Sequence, residues 1–199
     1  GCSYSTVIFA DAIEKNRQEF GDFVASNLRR SNQFEVHSVD DMPKYIKIAK
    51  SRLPKNLKSC VKFTRSEVLM TTFAGRICTE YSNLPNICPD FIYIDAPSQD
   101  SAKGEISGIS TRHPDRLPMS CDLLKIEHFL LPGTIVLVDG RTANARFLRT
   151  NFQRNWLYQH DVLNDSHVFE LVESPLGRYN KAQIEFCLGN KWFASVKTN

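Results

Sequence analysis

Leu130-Leu131-Pro132-Gly133-Thr134-Ile135-Val136-Leu137-Val138-Asp139 carries a helix end, a sharp turn and a strand closed by an acid. Pro132 and Gly133 cannot continue a helix, and the apolar β-formers that follow have no polar alternation, the pattern of a strand covered on both faces. Asp90-Phe91-Ile92-Tyr93-Ile94-Asp95 repeats it, stopping at an acid before Ala96-Pro97. Two such strands predict an α/β fold with a mostly parallel sheet. Their terminal acids then face the rim where open α/β sheets hold ligands.

Working outward, Thr142 to Phe152 has helical spacing, and Trp156 to Val172 reads as a strand or hairpin with Asn164-Asp165 at its turn. A last strand is expected at Gln183 to Leu188, after a loop at Gly177, as an antiparallel C-terminal edge. On the other side, Pro118 to Leu131 predicts a helix through Met119, Leu123, Leu124, Ile126 and Leu130. The polar run Ser98 to Leu117, about 20 residues, exceeds a plain connection and predicts a lid or substrate loop.

Ser5 or Thr6 caps a long helix to about Arg30, with Phe9, Ile13, Phe20, Val24 and Leu28 on one side. Phe34 to Val39 predicts a strand ending at Asp40-Asp41, Pro43 to Leu53 a helix, and Cys60 to Thr64 a strand. Ser66 to about Tyr81 is ambiguous, with Gly75 inside an otherwise weakly helical pattern. Gly1 to Ser5 reads as a turn between elements, so a first strand is expected upstream of Gly1.

The 199 residues, 42% hydrophobic and 24% charged, predict a single domain. Basic residues exceed acids by three and are scattered, which does not advertise nucleic-acid binding. No apolar run approaches the roughly 20 residues of a membrane helix, and no leader is evident, so a cytoplasmic protein is expected. Self-association is left open. The six cysteines show no C-x-x-C pair and read as reduced, mostly buried thiols.

Four of these stretches, in order, resemble class I S-adenosylmethionine-dependent methyltransferases. Gly1-Cys2-Ser3-Tyr4-Ser5-Thr6 is similar to the family's glycine-rich first motif, with Ser3 where a second glycine is common. Val36-His37-Ser38-Val39-Asp40 resembles its second strand, Asp90 to Asp95 its fourth, and Leu130 to Asp139 its "L-L-x-P-G-G" turn and fifth strand, with Thr134 replacing a glycine. The resemblance implies a Rossmann-like three-layer sandwich, with S-adenosylmethionine held by Gly1, Ser3, Tyr4, Ser5, Asp40 and Asp95. Asp40 would accept hydrogen bonds from the ribose hydroxyls, and free N–H groups at the helix start would meet the carboxylate. A nicotinamide cofactor is a distant alternative, since Thr6 stands where G-x-G-x-x-G requires its third glycine.

Some family members hold Mg²⁺ at the acids matching Asp95 and Asp139, which makes the pair a candidate metal site; Gly140, where those enzymes supply an asparagine, argues against it. Within the long loop, Thr111-Arg112-His113-Pro114-Asp115-Arg116 offers His113 as a general base for removing a hydroxyl proton. Arg141, just past the fifth strand, is placed to clamp a phosphate or carboxylate on a small-molecule acceptor. His37, His160 and His167 read as strand or edge residues with no constellation around them, and His128 and Trp156 as packing. The expectation is methyl transfer to an oxygen of a small polar or sugar-like acceptor. The alternative is an altered, non-catalytic nucleotide-binding member with a partner-binding role.

Overall fold

A computed structural model describes residues 4–95 and 97–196. The chain divides into two compact units, one of Gly1–Ser26, Arg30–Ile87 and Ala96–Pro118, the other of Asn27–Arg29, Cys88–Asp95 and Met119–Asn199.

In the first unit, α1 (Tyr4–Asn27) precedes β1 (Val36–Asp40), α2 (Pro43–Arg52), a 3₁₀ turn (Lys55–Cys60) and β2 (Val61–Arg65). β1 and β2 pair in parallel from Val36 opposite Val61 to Asp40 opposite Arg65. A core of Ala10, Leu53, Leu57, Cys60 and Val61 packs with Val7, Ile13, Val36 and Phe63. Pro43 at the first turn of α2, and Lys50 and Arg52 in its last, suit the helix ends and dipole.

β3 (Val68–Phe73) and β4 (Arg76–Tyr81) form an antiparallel hairpin where the sequence pattern was ambiguous. Ala74 and Gly75 both have positive φ, 47° and 75°, the two-residue turn whose twist matches flanking strands. β-Branched and aromatic residues along both arms favour the pleated state. The 98–117 segment is tied to this hairpin: Met70 N–H donates to the Lys103 carbonyl (2.9 Å), and Lys103 N–H donates to the Val68 carbonyl (2.8 Å).

The second unit contains β5 (Phe91–Ile94), α3 (Asp122–Ile126), a 3₁₀ turn (Glu127–Phe129), β6 (Ile135–Asp139), α4 (Thr142–Asn151), β7 (Trp156–Asp161), β8 (Ser166–Leu171), α5 (Gly177–Leu188) and a final 3₁₀ turn (Asn190–Ser195). Its sheet order is β5-β6-β8-β7. β5 and β6 run parallel, while β8 is antiparallel to both neighbours. Val136, Val138, Leu130, Leu148, Phe169 and Leu171 are all buried to within 1%. Phe152 stacks on Trp156 (centroids 4.6 Å) and meets Phe169 edge-on (5.4 Å).

The mostly parallel three-layer sandwich is therefore corrected. The sheets have two, two and four strands, with parallel, antiparallel and mixed pairing respectively. Two local choices produce this. The 66–81 segment becomes a hairpin, supplying no crossover helix, and the short turn after β7 forces β8 to return antiparallel. β8 lies inside the sheet and β7 forms the edge, so the expected antiparallel C-terminal edge strand is corrected too. β5 is the opposite edge, with Phe91 45% exposed, so it is less buried than its composition suggests.

Two further elements differ from expectation. Gln183–Leu188 belongs to α5, because Asn180, Gln183 and Ile184 are buried at helical spacing and Asn180 Nδ2 donates to the Pro132 carbonyl (3.1 Å). The helix expected from Pro118 shrinks to Asp122–Ile126 because Glu127 turns inward. Its carboxylate, on a residue 2% exposed, accepts N–H groups of Gln153 (2.9 Å) and Arg154 (2.8 Å) and the Trp156 indole N–H (2.9 Å). Arg154 meanwhile donates to the carbonyls of Glu127 (2.9 Å) and Leu130 (2.5 Å), groups a longer helix would need.

Gly133 has φ +87°, and a Cβ there would come within 2.9 Å of Ile184 Cγ1, so both backbone and packing require glycine. Cys60, Cys78 and Cys121 are buried, while Cys88 is half-buried and Cys187 exposed. Among the described residues no helix is long and apolar enough to cross a membrane.

Candidate functional site

The register of the parallel pair gathers one group of side chains in the second unit. Tyr93 lies opposite Leu137, so Asp139, two residues further along β6, is its diagonal neighbour on the same face. The Tyr93 hydroxyl donates to Asp139 Oδ2. Burial, then that bond and the charges of Asp139 and Asp95, push the Tyr93 phenol well above its ordinary range, so it remains a protonated donor at physiological pH.

Asp95 follows β5 directly. Arg141 stands at the start of α4, and its Nη2 donates to the Asp95 carbonyl (3.3 Å) and lies 3.8 Å from Asp95 Oδ1. The Asp95 and Arg141 side chains are 39% and 31% exposed, enough to meet a solute. The structure thus brings Arg141 beside Asp95, and Tyr93 beside Asp139. Tyr93 was missed, although the alternation Tyr93-x-Asp95 already puts it on the face of the acid.

A second constellation lies in the β7–β8 hairpin. His160 and His167 are opposite one another in register and their rings stack (centroids 4.1 Å, 16° between planes). His167 is fully buried. Its Nδ1 meets the Tyr158 hydroxyl at 2.9 Å and its Nε2 the Thr142 hydroxyl at 3.1 Å. Burial first, then the charges of His160 and Arg146, lower the His167 pKa against the pull of Asp165. The two histidines therefore do have a constellation around them, which corrects the sequence reading. His128 is exposed, not packed.

The remaining candidates belong to the first unit. Asp40, 5% exposed, ends β1; its Oδ1 accepts Met42 N–H (2.8 Å) and its carbonyl accepts Ser66 N–H (3.0 Å). Tyr4 and Ser5 open α1, and the Arg52 guanidinium sits 4.1 Å over the Tyr4 ring. Gly1 and Ser3 lie outside the described residues. His113 has a side chain 46% exposed, and its Nδ1 accepts Asp115 N–H at 3.2 Å. With Nδ1 so occupied, Nε2 carries the hydrogen of the neutral ring.

Donor chemistry separates the two implied ligands. A buried carboxylate at a parallel strand end, as at Asp40, matches the vicinal hydroxyls of a ribose. Mg²⁺ fits poorly at Asp95 and Asp139, because it wants six hard oxygens, whereas Asp139 accepts from Tyr93, Asp95 faces a guanidinium and Gly140 has no side chain. Comparison with known proteins finds no match to this chain, among family models, curated proteins or solved structures.

Proposed function

We propose that the chain catalyses S-adenosylmethionine-dependent methyl transfer to a hydroxyl oxygen of a small polar, sugar-like acceptor. The observation that carries this reading is the group Tyr93, Asp95, Asp139 and Arg141 at the carboxyl ends of two adjacent parallel strands. S-adenosylmethionine, when bound, supplies a methyl on a positively charged sulfur and leaves as a neutral thioether.

Asp95 accepts the hydrogen bond of the acceptor hydroxyl and takes its proton as the oxygen acquires the methyl. We give this role to Asp95 rather than His113, whose Nδ1 is already engaged by Asp115 N–H and whose Nε2 is a donor in the neutral ring. Arg141 steadies the Asp95 carboxylate and holds an anionic substituent of the acceptor. Tyr93 fixes Asp139 at the strand end.

The test is release of S-adenosylhomocysteine by the full-length protein with sugar phosphates as acceptors. Asp95→Asn lowers kcat by about 10²-fold or more. Arg141→Ala mainly raises KM, and more for phosphorylated than for neutral sugars. Turnover unchanged in Asp95→Asn contradicts the assignment. A second reading, nucleotide binding without turnover, draws on the Arg141–Asp95 pairing, which occupies both groups; binding without product release under any acceptor supports it.

A further inference from the structure

We propose that the β7–β8 hairpin carries a site for a borderline divalent metal ion of the Zn²⁺ class, with His160, Asp165 and His167 as its protein ligands. One ligand atom from each of the three lies within 4.8 Å of the others. Two imidazoles and a carboxylate suit zinc, cobalt or nickel better than a hard cation.

The site is built around a fixed member. His167 is fully buried, and the Tyr158 hydroxyl at 2.9 Å holds its Nδ1, the outer-shell partner that orients a ligating imidazole. Its Nε2 faces the Thr142 hydroxyl (3.1 Å), which is also 3.4 Å from Asp165 Oδ1. Nε2 is therefore the nitrogen on the side of the carboxylate. An ion replaces the Thr142 hydroxyl on Nε2, and that hydroxyl keeps Asp165 as its partner.

His160 and Asp165 are the adjustable members. His160 pairs with His167 across the strands, so both rings emerge on one face, and it is exposed. Asp165 sits at the end of the hairpin turn with φ 45°, and its carbonyl is anchored by Gly140 N–H at 2.8 Å. That anchor fixes its backbone beside β6 while the exposed carboxylate can turn. Bonds of about 2.0–2.2 Å to a shared ion place ligand atoms roughly 3.3–3.5 Å apart. The closure needed is a rotamer adjustment of two exposed side chains, with the buried histidine unmoved. Three protein ligands on an open hairpin leave the fourth position to water.

The experiment titrates Zn²⁺ into the full-length protein by calorimetry and Co²⁺ by visible absorption. Expected are one equivalent of bound Zn²⁺ with micromolar affinity and a Co²⁺ spectrum of nitrogen and oxygen ligands, without thiolate charge-transfer bands. His160→Ala and Asp165→Asn, both at exposed positions, weaken binding at least about tenfold while melting normally. His167→Ala abolishes binding; its fold is checked by circular dichroism, and the two exposed variants stand without it. Absence of binding below about 1 mM, unchanged affinity in both exposed variants, or a thiolate-dominated Co²⁺ spectrum overturns the proposal.

Discussion

The two units complete their sheets differently. In the first, β1–β2 and β3–β4 are separate two-stranded pairs, a size that is marginal without packing against other elements. Helices α1 and α2 and the Lys55–Cys60 turn supply that packing for β1–β2, through Ala10, Ile46, Ala49, Leu53, Leu57 and Cys60. In the second, one four-stranded sheet packs a dense aromatic and aliphatic core, and a polar knot of buried Glu127 with half-buried Arg154 and Glu173 ties the α3 turn to the start of β7. Burial opposes ionisation of Glu173, but the Arg154 guanidinium and Asn155 N–H win and hold its carboxyl below the usual range. Side chains grouped at the strand ends of the second unit rest on the larger sheet.

The largest test of that contrast is Phe169→Ala. Removing a fully buried aromatic ring that touches Phe152 and Tyr158 costs about 3–5 kcal/mol. Both tryptophans, Trp156 and Trp192, belong to the second unit, so their fluorescence follows its unfolding. The urea midpoint read by tryptophan falls in Phe169→Ala and stays put in Leu57→Ala, a buried-core change in the first unit. Equal shifts in both variants would mean the two cores unfold as one.

Gly133→Ala and Gly75→Ala compare the units at matched backbone strain. Both glycines have positive φ, but a methyl at Gly133 collides with Ile184, while at Gly75 nothing lies within 4 Å. The expected costs are about 2–3 kcal/mol against about 1 kcal/mol. Similar losses on thermal melting would remove the packing argument for the Pro132-Gly133 turn.

A smaller effect is set by pH in the first unit. Hydrogen bonds from Lys62 and His37, against burial, and one from Asn32, lower the Glu35 carboxyl to about 2. A depressed pKa stabilises the fold above the unfolded value, near 4.5, and that stabilisation is lost as pH falls toward 2. With its side chain 22% exposed, solvent screening leaves roughly 1 kcal/mol. Wild type should exceed Glu35→Gln by that amount at pH 7 and match it near pH 2. A gap that persists at pH 2 would remove the ion pair as its cause.

Most of the regular elements were legible because their signals are local. Pro43 announced α2, Pro132-Gly133 announced β6, and Asn164-Asp165 marked the β7–β8 turn. Where the reading failed, a neighbour decided. Ala74-Gly75 outweighed a faint helical period, and Ile184 reads as part of a strand only until Asn180 and Gln183 are counted on the same helical face. Glu127 looks like a helix residue until three N–H donors from the chain near Gln153 claim it. Asp95, Asp139 and Arg141 could be named as candidates because strand ends are visible in sequence. Tyr93 and the pair His160 and His167 needed register, which joins residues that no short window contains. The mostly parallel sheet failed for the same reason, since apolar strands reveal burial but not the direction of their partners.

The central claim is that this chain binds S-adenosylmethionine, and calorimetric titration of that compound into the full-length protein tests it most directly. The account predicts one saturable site from which S-adenosylhomocysteine, and not NADH, displaces the ligand. No binding, or displacement by NADH as readily as by S-adenosylhomocysteine, would contradict it.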